Sequence, residues 1–312
     1  MLALNLPSTL TDLARTAKRL PPVAAAFPLA VAFLVSGPIV TLSAALMLLN
    51  LAVGPDRAAA LISGAMSDLA GDPLLGGLAA AGVLILSFAP VSLTTWLWVR
   101  FFERRPFWTL GLVGGGWLLK YARGFAIGAV CFALVVGALA LTGQVVPAPG
   151  EAVTSSWAGA IGAFLVLAGW AIQGAAEEVV ARGWLMNVVS ARSRPWVGVL
   201  GSVVFFAFMH GLNPGIGPLA LINLALFALF ASLYALREGS LWGVCAFHSA
   251  WNWMQGNVFG LSVSGGGNSG PTLFRFGLSG SDLWTGGAFG TEGGLVVTVL
   301  LVGAVVGILL WR

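Results

Sequence analysis

Apolar residues run through this chain in long blocks. Eight of them approach the length of a membrane-crossing helix: 23–53 (with Pro38 inside it), 76–99, 123–142, 156–182, 196–212, 218–236, 240–259 and 293–311. The hydrocarbon core of a bilayer is about 30 Å thick, and a helix rising about 1.5 Å per residue crosses it in roughly 20 residues. The short alternating segments of a transmembrane barrel do not occur in this pattern. The expectation is therefore an all-α protein, a polytopic membrane helix bundle with about eight transmembrane helices. Ahead of the first block, TLTDLARTAKRLPP places apolar residues at near-helical spacing. It reads either as an amphipathic helix on the membrane surface or as a frayed tail. After the seventh block, the Gly- and Ser-rich stretch 261–292, containing SVSGGGNSG, reads as a flexible linker, with a loop folded over an external opening as the alternative.

Composition sharpens this. Hydrophobic residues make up 58% of the chain and charged ones 8%, with a mean hydropathy of +0.95, which excludes an ordinary water-soluble globule. The net charge of +4 resides mostly in arginines between the apolar blocks, so it bears on orientation and anionic lipid rather than on nucleic acid. Arg15, Lys18, Arg19, Arg100, Arg104, Arg105, Lys120, Arg123, Arg192, Arg194, Arg237 and Arg312 all fall on one side of an eight-span arrangement. Asp56, Asp68, Asp72, Glu151, Asp282 and Glu292 fall on the other, against Arg57 and Arg275. Both termini are thus expected to be cytoplasmic. Cys131 and Cys245 lie within predicted spans and read as packing residues, with no disulfide framework. Arginine outnumbers lysine, and Ala and Gly abound, a bias of GC-rich bacterial genomes that suits a multi-pass protein of a bacterial plasma membrane.

Ionisable groups inside a span are costly and mark candidate sites. Here they are Glu177, Glu178 and Arg182 in the fourth span, His210 in the fifth and His248 in the seventh; the two histidines are the only ones in the protein. Glu178 and Arg182, four apart, share a helix face and pair. Glu177 points about 100° away, beside Gln173 and among small residues, as the free carboxylate. Phe206 lies one turn before His210 and packs on its face; His248 and Asn252 likewise point the same way. Glu177 and His210 lie equally far along their segments from Arg192 and Pro195, roughly 22 Å at the helical rise, so they can meet. His248 lies only about 12 Å from Ser240 by the same measure. A carboxylate, two imidazoles and a carboxamide suit hydrolysis by activated water. Glu177 acts as general base, His210 holds the water, and His248 and Asn252 stabilise the oxyanion. A metal variant uses the same groups, with Glu177, His210 and His248 holding Zn2+. No tight zinc-binding spacing occurs, so the sequence requires no cofactor while leaving Zn2+ open.

The segments EEVVAR (177–182), FAFMH (206–210) and HSAWN (248–252) resemble the EExxxR, FxxxH and HxxxN motifs of the CPBP family. These are the CAAX-protease and bacteriocin-processing intramembrane proteases, also called the Abi family or the Rce1 type. The resemblance covers about 155–260. It implies water activation by Glu177 and His210 and an oxyanion site at His248 and Asn252, with both metal-dependent and glutamate-type mechanisms described for the family. It divides the chain into an amphipathic segment with three spans (1–150), a CPBP-like catalytic core (151–260) and a Gly-rich loop with the last span (261–312). The implied partners are the lipid bilayer and a peptide or protein substrate; nothing in the sequence sets an oligomeric state. The implied activity is that of an intramembrane endopeptidase. Two alternatives stand beside it: a non-enzymatic membrane partner keeping the same fold, and a proton-coupled transporter, against which the lack of an internal repeat counts.

Overall fold

Backbone groups removed from water must be satisfied within the chain, and here helices do almost all of that work. The computed structural model describes residues 9–57, 71–148, 156–267 and 270–311. Its α-helices of seven residues or more are α1 (Thr9–Arg15), α2 (Val23–Val53), α3 (Pro73–Leu97), α4 (Trp117–Leu141), α5 (Trp157–Glu178), α6 (Met186–Arg192), α7 (Pro195–Met209), α8 (Pro218–Glu238), α9 (Trp242–Trp253) and α10 (Leu295–Leu310). Wide π-helical turns extend α3 through Trp98–Glu103, join α5 to α6 through Val179–Leu185, and extend α9 through Met254–Val258. Starts are set by local chemistry. The Asp72 side chain accepts from the amides of Leu74 and Leu75, Ser156 caps Gly159, and prolines open α3, α7 and α8, where a missing N–H costs nothing.

Among the described residues, five helical stretches are long and apolar enough to cross a membrane: Val23–Val53, Pro73–Glu103, Trp117–Leu141, Trp157–Arg192 and Pro218–Glu238. The blocks at 196–212, 240–259 and 293–311 form shorter helices, so five of the eight expected blocks reach spanning length. Outer faces carry exposed Leu51, Leu119, Leu134 and Leu200, a surface suited to lipid rather than water. Buried Trp184, Trp251, Phe132, Phe205 and Phe247 fill the interior.

Several expectations are corrected. The amphipathic segment is helical, but Leu10 and Ala14 on its apolar face are buried against protein, where α1 packs on α6 and on the turn Phe107–Leu110. The 261–292 stretch is no linker. Its backbone bonds to the end of α9 (Leu273 N to Asn257 O, Phe274 N to Val258 O), and β2 (Phe276–Leu278) pairs antiparallel with β1 (Val145–Pro147), Val146 opposite Gly277. Arg105 is no solvated loop charge: it is 2% exposed, its Nε donates to Glu103 Oε2 at 2.6 Å, and Trp184 donates to Glu103 Oε1. Asp68, Glu151, Arg312 and part of SVSGGGNSG, which entered the sequence reading, lie outside the described residues.

Candidate active site

Close helix contact builds the site. A Cβ on Gly174 would lie 2.9 Å from Ser249 Oγ, so glycine at this point of α5 lets α9 approach and sets His248 against the glutamate pair. From the other side of α9, a Cβ on Gly128 of α4 would meet the Phe247 carbonyl at 2.5 Å. Immediately beyond Glu178, and just past Asn252, the backbone widens into π-helical turns, a local irregularity frequent at functional sites.

Glu178 and Arg182 are fully buried and bonded, Arg182 Nη1 donating to Glu178 Oε1 at 2.8 Å. The guanidinium also lies over the Phe206 ring, with Cζ 4.5 Å from its centroid. Phe206 in turn stacks at a tilt on His210, centroids 4.5 Å apart, and its carbonyl takes a hydrogen bond from His210 Nδ1 at 2.9 Å. A carbonyl can only accept, so Nδ1 holds a proton, and in the singly protonated ring Nε2 is the acceptor. His210 itself is half-buried and follows the last residue of α7, rather than lying within a helix as the 196–212 block predicts.

His248 bridges the two carboxylates. Its Nδ1 lies 2.9 Å from Glu178 Oε1, and its Nε2 lies 3.9 Å from Glu177 Oε2. Glu178 is therefore shared between Arg182 and His248, a contact between residues 70 apart that helix spacing could not reveal. Glu177 Oε1 accepts from Gln173 Nε2 at 2.7 Å, while its buried Oε2 has no hydrogen-bond partner among the described residues. Asn252 Nδ2 donates to Gln173 Oε1 at 3.0 Å, so Gln173 ties the free glutamate to the carboxamide. The sequence placed Gln173 on the Glu177 face without giving it a role.

All seven predicted residues converge here. Glu177, Phe206, His210, His248 and Asn252 line a cavity of about 210 Å3, whereas Glu178 and Arg182 stand behind its wall. A second hollow of about 370 Å3 shares Glu177 and His210 and runs out past Leu34, Pro38 and the exposed Ile39 of α2. Glu292, counted as a loop acid in the sequence, also lines the first cavity. Its Oε2 accepts from the amide and hydroxyl of Ser264 at 2.6 and 2.9 Å. Among the described residues no three His, Cys, Asp or Glu side chains gather closely enough to hold a metal ion. The Glu177, His210 and His248 donor set does not close into a zinc site in this arrangement.

Residues 157–254 match the family model described as Type II CAAX prenyl endopeptidase Rce1-like. No curated protein and no solved structure matches the chain. The matched stretch runs from the start of α5 to just past α9 and contains all seven site residues. That stretch is similar to an Rce1-like domain, consistent with a CPBP family protease, and it lies in a chain whose several long apolar helices support a multi-pass membrane protein.

Proposed function

We propose that this protein is an intramembrane endopeptidase that hydrolyses peptide bonds of membrane-associated peptides or proteins with water activated by Glu177 and His210. The observation that carries the reading is the buried Glu177 Oε2, without a hydrogen-bond partner among the described residues, in a cavity shared with both histidines. Water attacking the scissile carbonyl carbon gives its proton to Glu177, while His210 Nε2 accepts the second water hydrogen bond and orients the nucleophile. Asn252 gives one amide hydrogen to Gln173 and keeps the other for the oxyanion. When His248 carries both ring protons, its Nε2–H is a second donor there. Collapse of the intermediate breaks the C–N bond, and the amine departs with the proton held by Glu177. Glu178 orients His248, and Arg182 balances Glu178.

The hollow past Pro38 supports lateral entry from the lipid, which suits a membrane-associated substrate. We read the shorter α7, α9 and α10 as completing eight crossings in a bacterial plasma membrane. The basic residues then lie on the cytoplasmic side with both termini. Reconstituted protein turning over a peptide in heavy-oxygen water tests the chemistry. One heavy oxygen in the new carboxylate, with no peptide adduct on the protein at any time, supports direct attack by water. A trapped acyl-protein adduct overturns it.

A further inference from the structure

Glu292 is a buried carboxyl group with no cationic partner among the described residues. It is 8% exposed and lines the cavity that holds Glu177. The Ser264 amide, the Ser264 hydroxyl and Gln255 Nε2 (at 3.2 Å) all donate to its Oε2, and none of these bonds falls on Oε1. If Glu292 only anchored the 261–267 turn, a neutral carbonyl oxygen would serve those donors equally, without burying an uncompensated charge. The rest of the cavity wall has the same character. It holds two glutamates and no Lys or Arg, its histidines bond elsewhere (His210 to the Phe206 carbonyl, His248 to Glu178), and Asn213 commits its Nδ2 to the Ser264 carbonyl, leaving its Oδ1 as a further acceptor. Such a wall is complementary to a cation rich in N–H donors.

We infer that Glu292, with Asn213 beside it, is a substrate-recognition site for a basic side chain, Lys or Arg, carried close to the scissile bond. The inference rests on the endopeptidase reading for its substrate, though the cation site itself does not depend on catalysis. A lysine ammonium or arginine guanidinium would supply the missing counter-charge, and its seating would hold the adjoining peptide bond against Glu177 and His210. A substrate with an acidic residue at that position would meet two like charges and be excluded.

The test is a set of quenched-fluorescent peptides in which Lys, acetyl-lysine or Glu is moved stepwise through the positions flanking the cleaved bond. Each is assayed by kcat/KM on reconstituted wild type and on Glu292→Gln. Acetyl-lysine keeps the length and removes the charge. At one position, Lys should exceed acetyl-lysine by about tenfold or more, the scale of one charge-assisted hydrogen bond, with Glu poorest. Glu292→Gln should bring the Lys to acetyl-lysine ratio close to one. Absence of a Lys preference in the wild type overturns the inference, as does a preference that survives in the variant. A variant that merely loosens the fold lowers both rates and leaves the ratio standing, which also counts against it. If Glu292→Gln does not fold, the wild-type ratio of the two equal-length peptides decides. If the wild type cleaves nothing, the endopeptidase reading fails separately. Fluorescence-anisotropy binding of the same peptides then decides the site, Lys binding about tenfold tighter than acetyl-lysine upholding it and equal binding overturning it.

Discussion

Arg182→Ala removes the guanidinium on which both histidines indirectly depend. In the wild type, Arg182 bonds Glu178, which holds His248, and covers Phe206, whose carbonyl holds His210. Both ionised partners are wholly buried, so the truncation leaves Glu178 without its counter-charge, at a cost of about 3–5 kcal/mol. Loss of the contact over Phe206 adds up to about 2 kcal/mol. Against a typical folded stability of about 5–15 kcal/mol, that is a large fraction. At roughly 2 °C per kcal/mol for a chain of this size, the unfolding midpoint falls on the order of 10 °C. The assay is folded yield and thermal unfolding in detergent for wild type, Arg182→Ala and the double variant Glu178→Gln/Arg182→Met. The double variant removes both charges while keeping an acceptor for His248, and it should recover most of the loss. Two results refute the reasoning. Wild-type yield and midpoint in Arg182→Ala, with activity gone, would put Arg182 in the chemistry. A double variant as unstable as the single one would mean that the stranded charge is not the cause.

Gln173→Leu frees both Glu177 Oε1 and the Asn252 amide and should lower kcat about 10- to 100-fold with little change in KM, because the bonds it removes orient reacting groups; a change confined to KM would assign Gln173 to substrate binding. Phe206→Leu removes the ring beneath Arg182 and beside His210, and should lower the unfolding midpoint by several degrees and kcat about tenfold, since the His210 Nδ1 bond to the backbone carbonyl survives the change. Exhaustive chelation should leave cleavage unchanged. Loss of activity restored by zinc would instead show that Glu177, His210 and His248 close around a metal.

The helical character of the fold was legible in the sequence because bilayer thickness and helical rise fix the length of an apolar run. The Glu178–Arg182 pair was legible because residues four apart meet on one helix face. Contacts between helices carry no such signature. The bond from Glu178 to His248, the link from Gln173 to Asn252 and the place of Glu292 in the cavity wall depend on where helices and loops meet in three dimensions. Close approaches such as Gly174 against Ser249 decide those meetings. The 261–292 stretch was misread because Gly and Ser suit both a linker and a tight fold. Ser264 illustrates the difference, adopting a left-handed φ of 47° while directing its amide and hydroxyl to Glu292. Arg105 looked like a loop cation, since Trp184, which helps cover its partner Glu103 together with Trp98, lies 81 residues away from Glu103 in the sequence.

The central claim is that Glu177 is the base that activates water, and one comparison tests it most directly. Wild type and Glu177→Gln are purified in detergent and assayed against a quenched-fluorescent peptide library, with thermal unfolding as the check on folding. The substitution keeps the shape and an acceptor for Gln173, and removes the carboxylate charge and with it the ability to take a proton. The account predicts cleavage by wild type and a loss of at least about 100-fold in Glu177→Gln at an unchanged unfolding midpoint. Cleavage by the variant at the wild-type rate would contradict it and move the base elsewhere in the cavity.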